Sequence, residues 1–289
     1  MPQPAANQAT AEALIRVYED AHDSLVAAWQ AAATDERRAR QTRRLRELLD
    51  THEATMAALT DTSRTWWSTS VPILHAAGAG QAAAVVGSSF TWTQAHLAAV
   101  EAFAARTWDD VAANLQAITA ETRRLIRQEI ASATRTVLLE SRTAVQAGRD
   151  VAREAAKRGL WSVTYANGAR HTMRDYADMA VRTTTAEAYN RGSTTQTIAD
   201  GYEWIEYFDG DDCGITSHED PDKANGQIVP IGDVVYLSHP RCRRAILPAL
   251  PGRSLADGVA LGEALPPEPA PISARQPRQP RTARQPRGA

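Results

Sequence analysis

Proline is nearly absent from the first three-quarters of this chain and crowded into the remainder. Twelve of the fifteen prolines fall in residues 221–289, and between residues 5 and 220 only Pro72 occurs. A proline inside a helix removes one N–H and drives its ring against an earlier carbonyl, so long proline-free stretches are where long helices can form. Glycine is equally sparse, with only Gly78, Gly80, Gly87 and Gly148 before residue 159. Apolar residues make up 43% of the chain but aromatics only 6%. Alanine therefore carries much of the apolar fraction, and it favours helix. These features predict a mainly α N-terminal region over 1–149, a small α+β domain over 150–248, and a disordered tail over 249–289.

Periodicity fills in the helices. Leu14, Tyr18, His22, Leu25 and Trp29 recur on one helix face, and Leu45, Leu48, Leu49 and Met56 begin a second amphipathic stretch. Trp66-Trp67 and Pro72 predict a break, and Gly78, Gly80 and Gly87 an irregular loop. A third helix is predicted near 91–106. Trp108-Asp109-Asp110 then reads as the cap of a fourth, which carries Val111, Leu115, Ile118, Leu125 and Ile126 toward Gly148. Past Gly159 the texture changes. Residues 161–165 are β-prone, and Asn167-Gly168 signals a two-residue hairpin turn. Residues 173–191 return to a helical pattern, and Tyr202–Phe208, Ile228-Val229, Val234-Val235 and Ala245–Leu247 read as short strands.

Charge and cysteine usage exclude several classes. The net charge is −2, which argues against a wholly basic nucleic-acid binder, and two cysteines in 289 residues exclude a disulfide-dense scaffold. The N-terminus has no signal-peptide pattern, and no charge-free apolar run approaches membrane-spanning length, so no membrane partner is expected. The tail is rich in Pro, Arg, Gln and Ala and too polar to bury a core. Within it Arg275, Arg278, Arg281, Arg284 and Arg287 recur every third residue with no acidic residue among them. In polyproline II, three residues complete a turn, so the five guanidinium groups would line one edge as a polyanion-binding strip.

The stretch richest in chemistry is residues 209–218 with residues 239–244. Both cysteines lie here, each near a histidine. Cys213, His218, His239 and Cys242 would supply two thiolates and two imidazoles, a set that suits a structural zinc, although the spacing is not that of a standard finger. Two buried cysteines and two loop histidines explain the same residues. Nine acidic residues between Asp200 and Asp222, without Lys or Arg, raise two further readings. Asp209, Asp211, Gly214 and Asp220 nearly fit a calcium loop, but Cys213 takes a ligand position. His218 and His239 with Asp209, Asp211 and Asp212 could serve a metal-dependent His-type nuclease. No nucleophile elbow, P-loop or dinucleotide fingerprint occurs.

One ordered series of residues points further. Tyr165-Ala-Asn-Gly-Ala-Arg170 is followed by Arg174-x-Tyr176-Ala-x-Met179 with Arg182-Thr183. Gly192, Gly201-Tyr202, Asp211-Asp212-Cys213 and His239-Pro-x-Cys242-Arg243 complete it. In this order they resemble the phage minor capsid or head morphogenesis proteins of the Mu F-like family, over about residues 150–248. Many members carry a Cys-x-x-Cys pair and end in His-Pro-x-Cys-x-Cys, and here Thr216 and Arg244 stand at the second-cysteine positions. The resemblance implies a non-enzymatic protein of the virion head, made in the host cytoplasm. It would associate with the portal and with capsid or scaffold proteins and support head assembly and DNA packaging. The competing expectations are the His-type nuclease and a nucleic-acid-binding adaptor acting through the arginine-rich tail on packaged DNA.

Overall fold

A computed structural model describes residues 5–33, 38–139, 160–164, 168–208, 224–242 and 244–252. Helices α1 (Ala5–Ala33), α2 (Arg38–Val86) and α3 (Gln94–Leu139) come first. A hairpin of β1 (Ser162–Thr164) and β2 (Arg170–Thr172) leads into α4 (Met173–Ala199). Strands β3 (Trp204–Phe208), β4 (Ile228–Pro230) and β5 (Ala245–Pro248) follow, with a 3-10 turn at Ile231–Asp233. The protein is thus mainly helical with a small sheet region later in the chain. Residues 253–289, including the five tail arginines, lie outside the described residues.

Two expected breaks are not there. Pro72 sits inside α2, which runs unbroken through Gly78 and Gly80 to Val86. Losing one backbone bond costs a helix about 3 kcal/mol. Trp67, Val71 and Leu74 surround the proline and are all buried, each contributing about 1.5–3 kcal/mol, so packing outweighs the local defect. Likewise Trp108-Asp109-Asp110 caps nothing: it lies within the single helix α3, where Trp108 packs edge-on to Trp67 at 6.5 Å. The real start of α3 is marked by Thr93, whose hydroxyl accepts the His96 N–H.

Cross-links fix the helix directions. Tyr18 with Ser63 and Arg44 with the Ala31 carbonyl set α1 antiparallel to α2. His52 with Thr119, Trp67 with Thr107 and His75 with His96 set α3 antiparallel to α2 on another flank. Helix α4 runs parallel to α2 and touches it backbone to backbone. A Cβ on Gly78 would lie 1.9 Å from the Tyr189 carbonyl oxygen, and one on Gly192 would lie 1.9 Å from the His75 carbonyl oxygen. The glycines read as loop-formers are therefore, at 78, the condition for a helix crossing. One apolar core spans the four helices and the hairpin, from Ala11 through Trp67, Ile126, Trp161 and Val181 to Ala188.

The β-rich part follows its sequence signals in part: the expected hairpin forms, but Thr164 pairs with Arg170, so five residues, 165–169, connect its strands and not the two expected. Strands β1 and β2 pair antiparallel, Ser162 opposite Thr172 and Thr164 opposite Arg170, and Gly168 adopts a left-handed φ of 81°. Thr172 caps α4, its hydroxyl accepting the Asp175 N–H at 3.1 Å. The helix continues eight residues beyond the expected 191 and stops before Gly201, whose φ of 86° suits glycine. In the second sheet β3 is central, antiparallel to β4 and β5. Val234-Val235 is not a strand, because the Val235 N–H donates to the Tyr207 hydroxyl instead of a ladder partner.

The α2–α4 contact gives a sharp expectation. Gly78→Ala or Gly192→Ala pushes a methyl into a carbonyl oxygen and should cost at least about 3 kcal/mol, the scale of severe overpacking. Gly80→Ala, on the same helix with nothing within 4 Å of the new Cβ, should instead be neutral or stabilising by about 0.5–1 kcal/mol. Urea denaturation of the three variants checks both signs.

Candidate functional site

Helix α4 carries an unusual load of buried polar side chains: Thr184, Thr185, Asn190, Ser193, Thr194, Gln196 and Thr197. Several threonines bond their own helix, Thr185 to the Val181 carbonyl and Thr197 to the Ser193 carbonyl. Asn190 and Ser193 reach the sheet. Asn190 Nδ2 donates to the carbonyls of Arg244 (2.8 Å) and Tyr236 (3.2 Å), and its Oδ1 accepts the Ile246 N–H (3.2 Å). Ser193 Oγ donates to the Ile246 carbonyl at 2.5 Å. The amide of Asn190 thus takes the place of a peptide group along β5, whose other side pairs with β3. Arg244 is itself buried, with its guanidinium 4.3 Å above the Tyr207 ring and bonded to the Val235 carbonyl.

The His239–Cys242 turn packs on the first half of α4. The Cys242 N–H donates to the His239 carbonyl, and the His239 ring shares a 2.6 Å hydrogen bond through Nδ1 with the Pro240 carbonyl. Between them Arg241 holds a left-handed φ of 65°, a strained conformation for a long side chain. Three anchors hold it: its N–H on the Thr183 hydroxyl, its Nε 2.8 Å from Asp178, and its Nη2 on the Asp175 carbonyl. Arg182 holds the other oxygen of Asp178 at 2.6 Å. Cys242 is a buried free cysteine.

Of the proposed zinc quartet, His239 and Cys242 therefore share one turn, while Cys213 and His218 lie outside the described residues. So do Asp209, Asp211, Asp212, Gly214 and Asp220 of the nuclease and calcium readings. Among the described residues no group of three or more His, Cys, Asp or Glu is placed to hold a metal ion, and no helix is long and apolar enough to cross a membrane.

A second polar system has no counterpart in the motif reading. His75 on α2 and His96 on α3 are buried and joined, Nε2 to Nδ1, at 2.9 Å. Trp92 stacks on the His75 ring at 5.9 Å and 15°, and Phe90 meets His96 edge-on at 5.2 Å. His96 Nε2 and Gln196 Oε1 are both buried, and neither has a hydrogen-bond partner among the described residues. Gln196 Nε2 then donates to Asp200 (2.9 Å), which also accepts from Ser88 Oγ (2.9 Å). Burial, with His96 and Arg191 nearby, lowers the His75 pKa to about 4. Burial also lowers His96, against the opposing pull of Gln196 and Asp200.

Further along α2, Trp161 Nε1–H donates to His52 Nδ1 at 3.2 Å. The His52 proton therefore sits on Nε2, toward the Thr119 carbonyl. The faint signal for these histidines was their spacing: His52 falls in step with Met56 and Leu59, and His75 follows Val71 by four. Polar rings on an apolar stripe mark buried hydrogen-bonded groups.

Comparison with protein-family models, with curated proteins and with solved structures returns no match.

Asn190→Ala leaves the Ile246 N–H and the Arg244 and Tyr236 carbonyls short of a partner and should cost about 1–3 kcal/mol. Asn190→Asp, which keeps an acceptor for Ile246 but turns a carboxylate toward two carbonyls, should be no better than alanine. Thermal denaturation of the pair measures this.

Proposed function

We propose that this chain is a non-enzymatic assembly protein of a tailed-phage head, a minor-capsid protein of the Mu F-like kind. One observation supports the reading: the described residues among those that resemble that family are occupied in joining parts of the fold. Arg174 pairs with Glu19 of α1 at 2.8 Å, Tyr176 is buried in the shared core, and Arg182 holds Asp178. Thr183 receives the Arg241 N–H, Gly192 makes the α2 contact, and Gly201 ends α4. Such residues would suit a rigid docking body. The partners proposed are the portal and capsid or scaffold proteins, the site of action is the virion head, and synthesis is in the host cytoplasm.

Co-expression of the full chain with the portal protein from the same phage genome should give a co-purifying complex, and the chain should be found in procapsids. Divalent-metal-dependent cleavage of DNA by the purified chain, lost in His218→Ala, would replace this reading with the nuclease.

Two accessory roles belong to the same proposal. Zinc would be held by Cys213, His218, His239 and Cys242. The described half is compatible: the Pro240 carbonyl bonds the His239 ring, as carbonyls orient metal-binding imidazoles, and Cys242 is one turn away. Elemental analysis of the full chain should then find one zinc per chain, reduced to background by Cys242→Ser. Zinc-free wild type would remove the metal and leave the assembly role standing. Arg275, Arg278, Arg281, Arg284 and Arg287 would touch packaged DNA. Their replacement by glutamine should flatten the salt dependence of DNA binding, and an unchanged slope would reject that contact.

A further inference from the structure

We infer that His75, His96, Gln196 and Asp200 form an acid-released latch that fastens the 87–93 connection onto the helix bundle. The inference stands on geometry and is independent of the head-assembly reading. The connection between α2 and α3 is anchored at both ends of one chain of polar side chains, hydrogen-bonded at every step but that between His96 and Gln196. Ser88 bonds Asp200 at one end, and Trp92 lies flat on His75 at the other, with Phe90 against His96 between them. The chain joins four pieces of structure: α2 through His75, α3 through His96, α4 through Gln196 and Asp200, and the connection itself.

Asp200 accepts from Gln196 Nε2, which leaves Gln196 Oε1, like His96 Nε2, buried without a partner among the described residues. With the His96 proton on Nε2, its Nδ1 accepts and His75 supplies the Nε2–H between the two rings. The bond between the rings thus requires His96 Nδ1 to be unprotonated, and burial disfavours a charge on either ring. A proton added to His96 Nδ1 would set two N–H groups against each other at the 2.9 Å contact and bury a charge.

The groups facing the pair are His75 itself on α2, His96 on α3, and Arg191 and Asp200 on α4. Residues 87–93 bring no charge. Arg191 opposes protonation of His75, and Asp200 favours that of His96. The sign is fixed by burial: the closed latch disfavours the imidazolium, so its stability is complete above the ordinary histidine value of 6.5 and is lost as pH falls toward about 4. Opening frees Phe90 and Trp92, the second already 44% exposed.

The test is hydrogen exchange of the full chain between pH 7 and 4.5, corrected for the intrinsic pH dependence of amide exchange. Ser88 N–H bonds the Ala83 carbonyl and His96 N–H bonds Thr93, so segment 87–97 contains protected amides. Their protection should fall on the order of fiftyfold by pH 4.5, while segments 76–86 and 189–199 stay protected. Nitrogen-15 spectra of labelled histidine should show two rings in the Nε2–H form at pH 7 that titrate together with this loss. Asp200→Asn removes the charge that favours protonation and should move the opening to lower pH. Simultaneous loss of all three segments, an unchanged opening in Asp200→Asn, or ordinary titration of both rings would each overturn the latch.

Discussion

The architecture depends on two helices meeting without side chains between them. At the α2–α4 crossing, Gly78 and Gly192 each face a carbonyl of the other helix at a distance that excludes even a methyl group. Ordinary helix pairs stand 8–10 Å apart, which leaves room for one layer of side chains. Where that layer is removed, the backbones become the packing surface and the two axes are fixed relative to one another. Helices α1 and α3 then seal the flanks with large residues, Tyr18, Leu25 and Trp29 from one and Leu115, Ile118 and Ile126 from the other. The chain can build such a core with few aromatics because its most intimate contact requires no side chain at all.

The same closeness explains the polar character of α4. A helix pressed against α2 on one face and against β5 on another has little surface left for water, yet it carries Asn190, Ser193, Gln196 and four threonines inward. Buried polar groups of this kind are tolerable only when paired, and here the pairing is what attaches the sheet. Among the described residues the sheet's own apolar cluster is small, with Ile205, Tyr207, Ala224 and Ile246 buried and Val229, Ile231, Val234 and Tyr236 packed against them. Directional bonds from Asn190 and Ser193 supply the register that so small a core cannot.

Much of the helical pattern was legible, because periodicity reports the face that must be buried. Leu14, Tyr18, Leu25 and Trp29 of the first stripe lie on the buried side of α1, with His22 half-buried among them, and a hairpin forms where one was expected, though with a longer connection. The failures share a cause. Pro72, Gly78 and Trp108-Asp109-Asp110 were weighed by local preference, whereas their surroundings decide their role. Glycine in particular has two opposite uses, freeing a backbone in a turn or clearing space for a neighbour, and a single sequence does not separate them. The histidine chain was missed for a different reason. Its members, at 75, 96, 196 and 200, come from three helices and acquire meaning only when the crossing brings them together.

That dependence runs through one residue. The carbonyl oxygen of His75 is the atom that Gly192 approaches, and the imidazole of His75 is bonded to His96 at the head of the polar side chains that lead to Asp200. Backbone and side chain of a single residue thus serve both the crossing and the latch. Close packing sets the distance between α2 and α4 at the first: hard contact bars a closer approach, and widening would forfeit the packing and open a void, so the crossing does not adjust gradually to the second. Packed interfaces of this kind are bistable, not continuously deformable. When the imidazole pair can no longer be satisfied, the element free to yield is the connection 87–93, which is held by Ser88, Phe90 and Trp92 and lies on the surface. The rigidity of the glycine crossing is what directs a local change of charge outward to the loop and away from the helix core.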